Sequence, residues 1–308
     1  MLQNFERDDG VLFDESVIAI AGVSQTGKGI YHFLGSGFII GPSLAVTARH
    51  VIDGFMSSFY KNGMDIPNNF LFMPERSKFH LLAWQGKETD LLGRAFLVDL
   101  VSVSNFSDFA VLRLVPQFDM SSYLWRPYFL TTMLPNVGSV VTGFGYRVEC
   151  HIEEGIEKYI SNRYFSNGIV KDIHDLQRDS STINFPSFET NARYEGGMSG
   201  GPVFSQGHYV VGLISSSMKL PQSDQHQLEE YYSHAATIWP LLGNMIEITI
   251  PSISIIPGYY TIQHLAALGV VKIAGHEDFT IHYGDDGFPA GIHYWNPEKY
   301  PRKKAAWE

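Results

Sequence analysis

One cysteine, Cys150, stands in a chain of 308 residues, so no internal disulfide and no cysteine cage for zinc can form. Positive charge is scarce: 22 Lys and Arg against 32 Asp and Glu leave a formal charge of −10, which argues against a protein built to grip nucleic-acid phosphates. The one basic cluster, Arg302, Lys303 and Lys304, reads as a solvated tail. No apolar run approaches a membrane span, and "MLQNFERDDG" lacks the basic region and apolar core of a secretory signal. The expectation is a cytoplasmic chain in a reducing compartment, with no nucleic-acid and no membrane partner.

Apolar residues make up 44% of the chain and charged ones 18%, the balance of a packed globular protein. Short segments rich in β-branched and aromatic residues dominate. They are "SVIAIAG" (16–22), "GSGFII" (35–40), "LAVTA" (44–48), "RAFLVDLVSVS" (94–104), "FAVLRLV" (109–115) and "GSVVTGFGY" (138–146). "NGIVKDI" (167–173), "GPVFS" (201–205) and "HYVVGLISSS" (208–217) follow, and Gly, Pro, Asn, Asp or Ser bounds each one. Many short strands without interleaved helices predict a mostly β protein, a sandwich or a barrel. Helical periodicity is expected late, over 229–246 with an interruption at Pro240, and over 261–269. Residues 53–92 read as an elaborated loop with some helix. "GVSQTGKG" (22–29) fits G-x-x-x-x-G-K, but Gly29 replaces the magnesium-binding hydroxyl and a strand-like run follows where a helix should open. A hairpin loop is the better reading of it.

"YEGGMSGGPVFS" (194–205) sets Ser199 among glycines, as a turn serine or a nucleophile on a shaped loop would be. "GMSGG" also satisfies the G-x-S-x-G elbow of α/β-hydrolases. That fold needs a helix directly after the serine, whereas "GPVFSQGHYVVGLISSS" continues as a hairpin. Upstream, "LAVTARHVI" (44–52) puts His50 at the end of an apolar strand, and "FSDFAVLRL" (106–114) puts Asp108 at the mouth of another. Taken singly, His50 reads as a capping or core histidine and Asp108 as a turn cap. In the order His, Asp, Ser they form a nucleophile, its base and an orienting acid. Asp53, Asp90 and Asp99 are rival acids: Asp53 is too close to His50 in sequence, and Asp99 lies inside an apolar strand.

At this point the chain resembles the trypsin/chymotrypsin-like serine proteases, most closely the bacterial, disulfide-free branch with the HtrA and V8-type enzymes. "GSGFII", "VTARHVI", "SDFAVLRL", "VGSVVTGFGY", "GGMSGGPVF" and "YVVGLISSS" match family landmarks in family order across roughly residues 16–248. The resemblance implies two antiparallel six-stranded β-barrels, at 16–135 and 136–248. An N-terminal extension (1–15) would precede them, 53–92 would be a loop inserted in the first, and a C-terminal α/β extension (249–308) would follow. It implies a serine endopeptidase acting on peptide or protein substrates, with no metal and no organic cofactor. His50 would take the Ser199 proton and pass it to the leaving amine, while Asp108 held the imidazole. Gly197 and Ser199 would form the oxyanion hole through their N–H groups. Ser215 would help position Asp108, and the backbone at Ser215, Ser216 and Ser217 would pair with extended substrate.

Met198 stands where trypsin-type enzymes carry an aspartate, so activation by a freed N-terminal amine is not expected. Control would come from loop ordering or a partner, with 53–92 as a candidate loop. Arg193, six residues before the nucleophile, would sit at the base of the primary pocket and favour acidic side chains. Glutamate-specific relatives carry a histidine where this chain has Ile214, and His234 would approach the pocket instead. The C-terminal extension would cover barrel edges or hold a regulatory protein partner. The alternative from another class is a non-catalytic peptide- or protein-binding module on the same fold.

Overall fold

The computed structural model describes residues 16–24, 31–59, 71–72, 79–87, 90–153, 156–219 and 231–294. The first barrel is built from β1 (Val17–Ser24), β2 (Tyr31–Gly41), β3 (Leu44–Ala48), β4 (Leu71–Phe72), β5 (Phe79–Lys87), β6 (Asp90–Val103) and β7 (Phe109–Pro116). Six of them close a ring in the order β6-β5-β1-β2-β3-β7, with β7 returning to β6 and β4 added outside β6. All these pairs are antiparallel. Closure leaves the ring without a free edge. Ile18, Ile20, Phe38, Ile40, Val46 and Leu112, on its strands, are each wholly buried. Helix α1 (Arg49–Phe59) leaves directly from β3 and buries Val51, Ile52 and Phe55.

The second barrel uses β8 (Leu130–Thr131), β9 (Val140–Glu153), β10 (Ile156–His174), β11 (Ser187–Thr190), β12 (Pro202–Ser205), β13 (Val210–Lys219) and β14 (Tyr231–Thr237). Its ring runs β12-β9-β10-β11-β14-β13 and closes through β12 and β13, while β8 joins β13 in parallel. The fold is therefore two closed six-stranded antiparallel barrels, the chymotrypsin-like architecture that the resemblance implies.

Two elements differ from the sequence expectation. Phe79–Lys87, inside the supposed loop 53–92, is a ring strand between β1 and β6, with Leu81 and Ala83 fully buried. One of its two partners, β1, is distant in sequence, and the local pattern does not display it. Tyr231–Thr237 is a strand between β11 and β13, where helical periodicity was expected. Ala235 and Ala236 face opposite sides and both are fully buried, which erases the alternation that marks a half-buried strand. Pro240 starts a short 3₁₀ turn, Trp239–Gly243. The helix expected over 261–269 is present.

That helix belongs to the C-terminal segment: β15 (Met245–Ile248), β16 (Gly258–Thr261), α2 (Ile262–Ala267), β17 (Ile273–Ala274), β18 (Phe279–Tyr283) and β19 (Pro289–Tyr294). Thr261 caps α2 by accepting the His264 N–H. The segment docks on both barrels. Arg113 of β7 donates to the Glu247 carbonyl at 2.9 Å, and β17 extends the second sheet through β8. Among the described residues no helix is long and apolar enough to cross a membrane. Residues 25–30 of the G-x-x-x-x-G-K stretch lie outside the described residues, but antiparallel strands flank them, with no helix after.

Candidate active site

β3 ends at Ala48 and α1 begins one residue later, so the first N–H groups of α1 have no partner within the helix. Asp108, at the mouth of β7 and only 7% exposed, supplies one. Its Oδ1 accepts the His50 backbone N–H at 3.0 Å, and its carbonyl accepts the Arg49 N–H at 3.1 Å. Its Oδ2 lies 2.8 Å from His50 Nδ1 and accepts the Ser215 hydroxyl at 2.6 Å. An ionised carboxylate only accepts, so Nδ1 carries the proton and Nε2 keeps its lone pair. The His50 side chain is 45% exposed, which leaves that nitrogen reachable. Partial burial pulls the His50 pKa down. The hydrogen bond and charge of Asp108, helped by the charge of Asp53, outweigh it and hold the pKa above its ordinary value.

The rival acids are occupied elsewhere. Asp99 is held by both forks of Arg113, at 2.8 and 2.9 Å. Asp53 lies 3.7 Å from Arg49, one turn along α1, and burial raises its pKa. The side chain of Asp90 lies outside the described residues.

The Ser199 loop is pinned peptide by peptide. The Gly197 carbonyl accepts from the Ser36 hydroxyl at 2.7 Å, and the Ser199 carbonyl from the Ser36 N–H at 2.7 Å. The Met198 carbonyl accepts from Gly201 N–H, the Gly200 N–H binds the Ile214 carbonyl, and the Gly201 carbonyl accepts the Ile214 N–H. Met198 N–H is taken by the Glu195 carbonyl. Three N–H groups remain: among the described residues, Gly196, Gly197 and Ser199 donate no hydrogen bond. Gly197 and Gly200 have φ of +95° and +87°, the region where only glycine is unstrained. Space also demands glycine at 200: a Cβ there would lie 2.1 Å from the Ser36 carbonyl and 2.8 Å from Ala48 N. Gly200 thus lies against the end of β3, two residues before His50. Met198 is fully buried in the second-barrel core, and its Sδ accepts the Glu195 N–H at 3.2 Å.

The other predicted residues divide. Ser215 touches Asp108, while Ser216 and Ser217 continue β13 beside His234 and Ser233 of β14. β12 covers β13 only as far as Leu213, so beyond that point the second edge of β13 carries no strand among the described residues. Arg193 forms a close ion pair with Glu195, and its guanidinium lies over the Tyr231 ring at 5.1 Å. His234 is fully buried with neither ring nitrogen hydrogen-bonded. Its ring neighbours are His174 at 5.9 Å and Tyr232 at 5.2 Å. Desolvation, helped by the nearby charges of Arg178 and His174, pushes its pKa down to about 4. Along β14, Ala235 joins the barrel core and Ser233 shares its face, so His234 points the other way.

Sequence reading missed Ser36 and Ser233. Ser233 donates to the Ala192 carbonyl at 2.7 Å and meets the Ser217 hydroxyl at 2.8 Å, on the side of β14 that Arg193 covers.

The model of the trypsin-like peptidase domain matches residues 35–213. The match spans more than half of the chain, and the chain belongs to the trypsin-like peptidase family. Among curated proteins none matches this chain. Similar solved structures include the Rv3671c protease from M. tuberculosis in its active form, at 16% identity over 85% of each chain, TM-score 0.44. Deg5 is similar at 17% identity, covering 73% of this chain and 85% of its own, TM-score 0.44.

Proposed function

We propose that the chain is a serine endopeptidase working through His50, Asp108 and Ser199. Ser199 Oγ attacks the scissile carbonyl while His50 Nε2 takes its proton, and the C=O electron pair moves onto the oxygen. The free N–H groups of Gly197 and Ser199 receive that oxyanion, where one such donor is typically worth about 3 kcal/mol. Collapse breaks the C–N bond, His50 protonates the leaving amine, and an acyl-Ser199 ester remains. Water then attacks the ester, His50 takes the water's proton, and Ser199 is released with the acid product. Asp108 keeps the Nδ1–H tautomer throughout and stabilises the imidazolium.

The observation that carries this reading is the three-donor environment of Asp108, with His50 N–H, His50 Nδ1–H and Ser215 Oγ–H converging on one buried carboxylate. A capping or core histidine needs no such arrangement. The uncovered edge of β13 at Ser215, Ser216 and Ser217 supports binding of an extended peptide by strand addition. Four carbonyls of the Ser199 loop are already engaged, which supports a loop held in place without a charged N-terminus. The test is incubation with an unstructured protein such as casein, followed by mass spectrometry of new termini. Wild type should generate internal cleavages and Ser199→Ala none; equal products from both would reject the assignment.

A further inference from the structure

Ser36 lies fully buried on β2, in the seam between the barrels. Four hydrogen bonds meet on it. Its hydroxyl donates to the Gly197 carbonyl at 2.7 Å and accepts the Tyr146 N–H of β9 at 2.8 Å. Its N–H donates to the Ser199 carbonyl at 2.7 Å, and its own carbonyl accepts the Thr47 hydroxyl at 2.6 Å. Among the described residues no other side chain outside the loop bonds to residues 196–201.

Gly197 is where this loop can turn most easily, because a residue without Cβ crosses φ regions at little cost. A rotation there would carry the Gly197 N–H away from the reacting carbonyl. We propose that Ser36 is a positioning residue for catalysis: its hydroxyl and amide fasten the Gly197 and Ser199 carbonyls to the first barrel and keep their N–H groups aimed at the oxyanion. The inference rests on the serine-protease reading and adds a role for a first-barrel side chain that touches no substrate. The barrel that supplies the base thereby also sets the donors for the oxyanion, so the two halves of the site are kept in register by one residue.

The experiment compares wild type with Ser36→Ala, Ser36→Cys, Ser36→Thr and Thr261→Val, on peptide hydrolysis, fluorophosphonate labelling and thermal unfolding. Ser36→Ala should lower kcat about 10- to 100-fold with KM within about threefold, because only transition-state stabilisation is lost. Labelling should slow in parallel. Ser36→Cys is nearly isosteric with a weak donor, so it carries the test if Ser36→Ala fails to fold, and it should lose kcat in the same sense. Ser36→Thr keeps the hydroxyl and should restore kcat. Thr261→Val removes the capping hydrogen bond of α2 in the C-terminal segment and should lower the melting temperature while sparing kcat. An active wild type matched by Ser36→Ala or Ser36→Cys overturns the inference alone, as does a kcat loss that Thr261→Val reproduces. A wild type that neither labels nor cleaves overturns the protease reading and this inference with it.

Discussion

His50 and His234 stand at opposite extremes of what this fold does to an imidazole. His50, on the rim between the barrels, is nearly half exposed, has a carboxylate on Nδ1, and is held above its ordinary pKa. His234, on the wall of the second barrel, is wholly buried with both nitrogens unpartnered and is held down to about 4. The sequence motifs nominated both. The difference is the partner: the Asp108 carboxylate orients one imidazole and favours its charged form, whereas burial, helped by nearby positive charge, keeps the other neutral. Arg193, six residues before Ser199, is likewise held by its surroundings, paired with Glu195 and stacked on Tyr231.

Substituting the two histidines breaks this comparison most sharply. His50→Ala should lower kcat/KM by roughly 10⁴-fold or more. His234→Gln should leave it within about threefold, since the side chain touches no reacting atom. Steady-state hydrolysis of one peptide by both variants checks the pair. Asp108→Asn should cost about 10⁴-fold at neutral pH, because the amide cannot hold the Nδ1–H tautomer. That loss should ease at alkaline pH in the rate profile.

The next effect is on stability. The unfolded chain protonates His234 near 6.5 and the folded one only near 4, so the folded protein loses stability as pH falls through that window. The loss should reach about 3 kcal/mol at the acid end, and His234→Gln should remove that part of the slope in urea titrations. The smallest effect concerns Asp53, whose charge favours the His50 imidazolium. Asp53→Asn should lower the His50 pKa, so the base stays neutral to lower pH and the acid limb of kcat/KM moves down. An upward or absent movement would show that Asp53 does not act on His50.

Much of the molecule was readable where local pattern and long-range role coincide. His50, Asp108 and Ser199 each sit at the end of a strand or in a turn with its own punctuation, and most ring strands show period-two alternation or apolar runs bounded by Gly and Pro. The barrel strands Phe79–Lys87 and Tyr231–Thr237 were not readable, because each is completed on one edge by a segment far away in sequence, β1 for the first and β11 for the second. Ser36 hid in "GSGFII", where a serine between glycines reads as strand filler. Three of its four hydrogen bonds reach the second barrel and exist only once the barrels are docked. Glycines at 197, 200 and 201 were legible as a shaped loop, but not the reason for them, which is the close approach of β2, β3 and β9.

The most direct test of a base-activated Ser199 is labelling of the purified protein with a fluorophosphonate probe across pH, for wild type, Ser199→Ala and His50→Ala. The account predicts labelling of wild type that rises with pH through a midpoint above 6.5, the ordinary histidine value, and disappears in both variants. Labelling that survives in either variant, or a wild type that never labels, would contradict it.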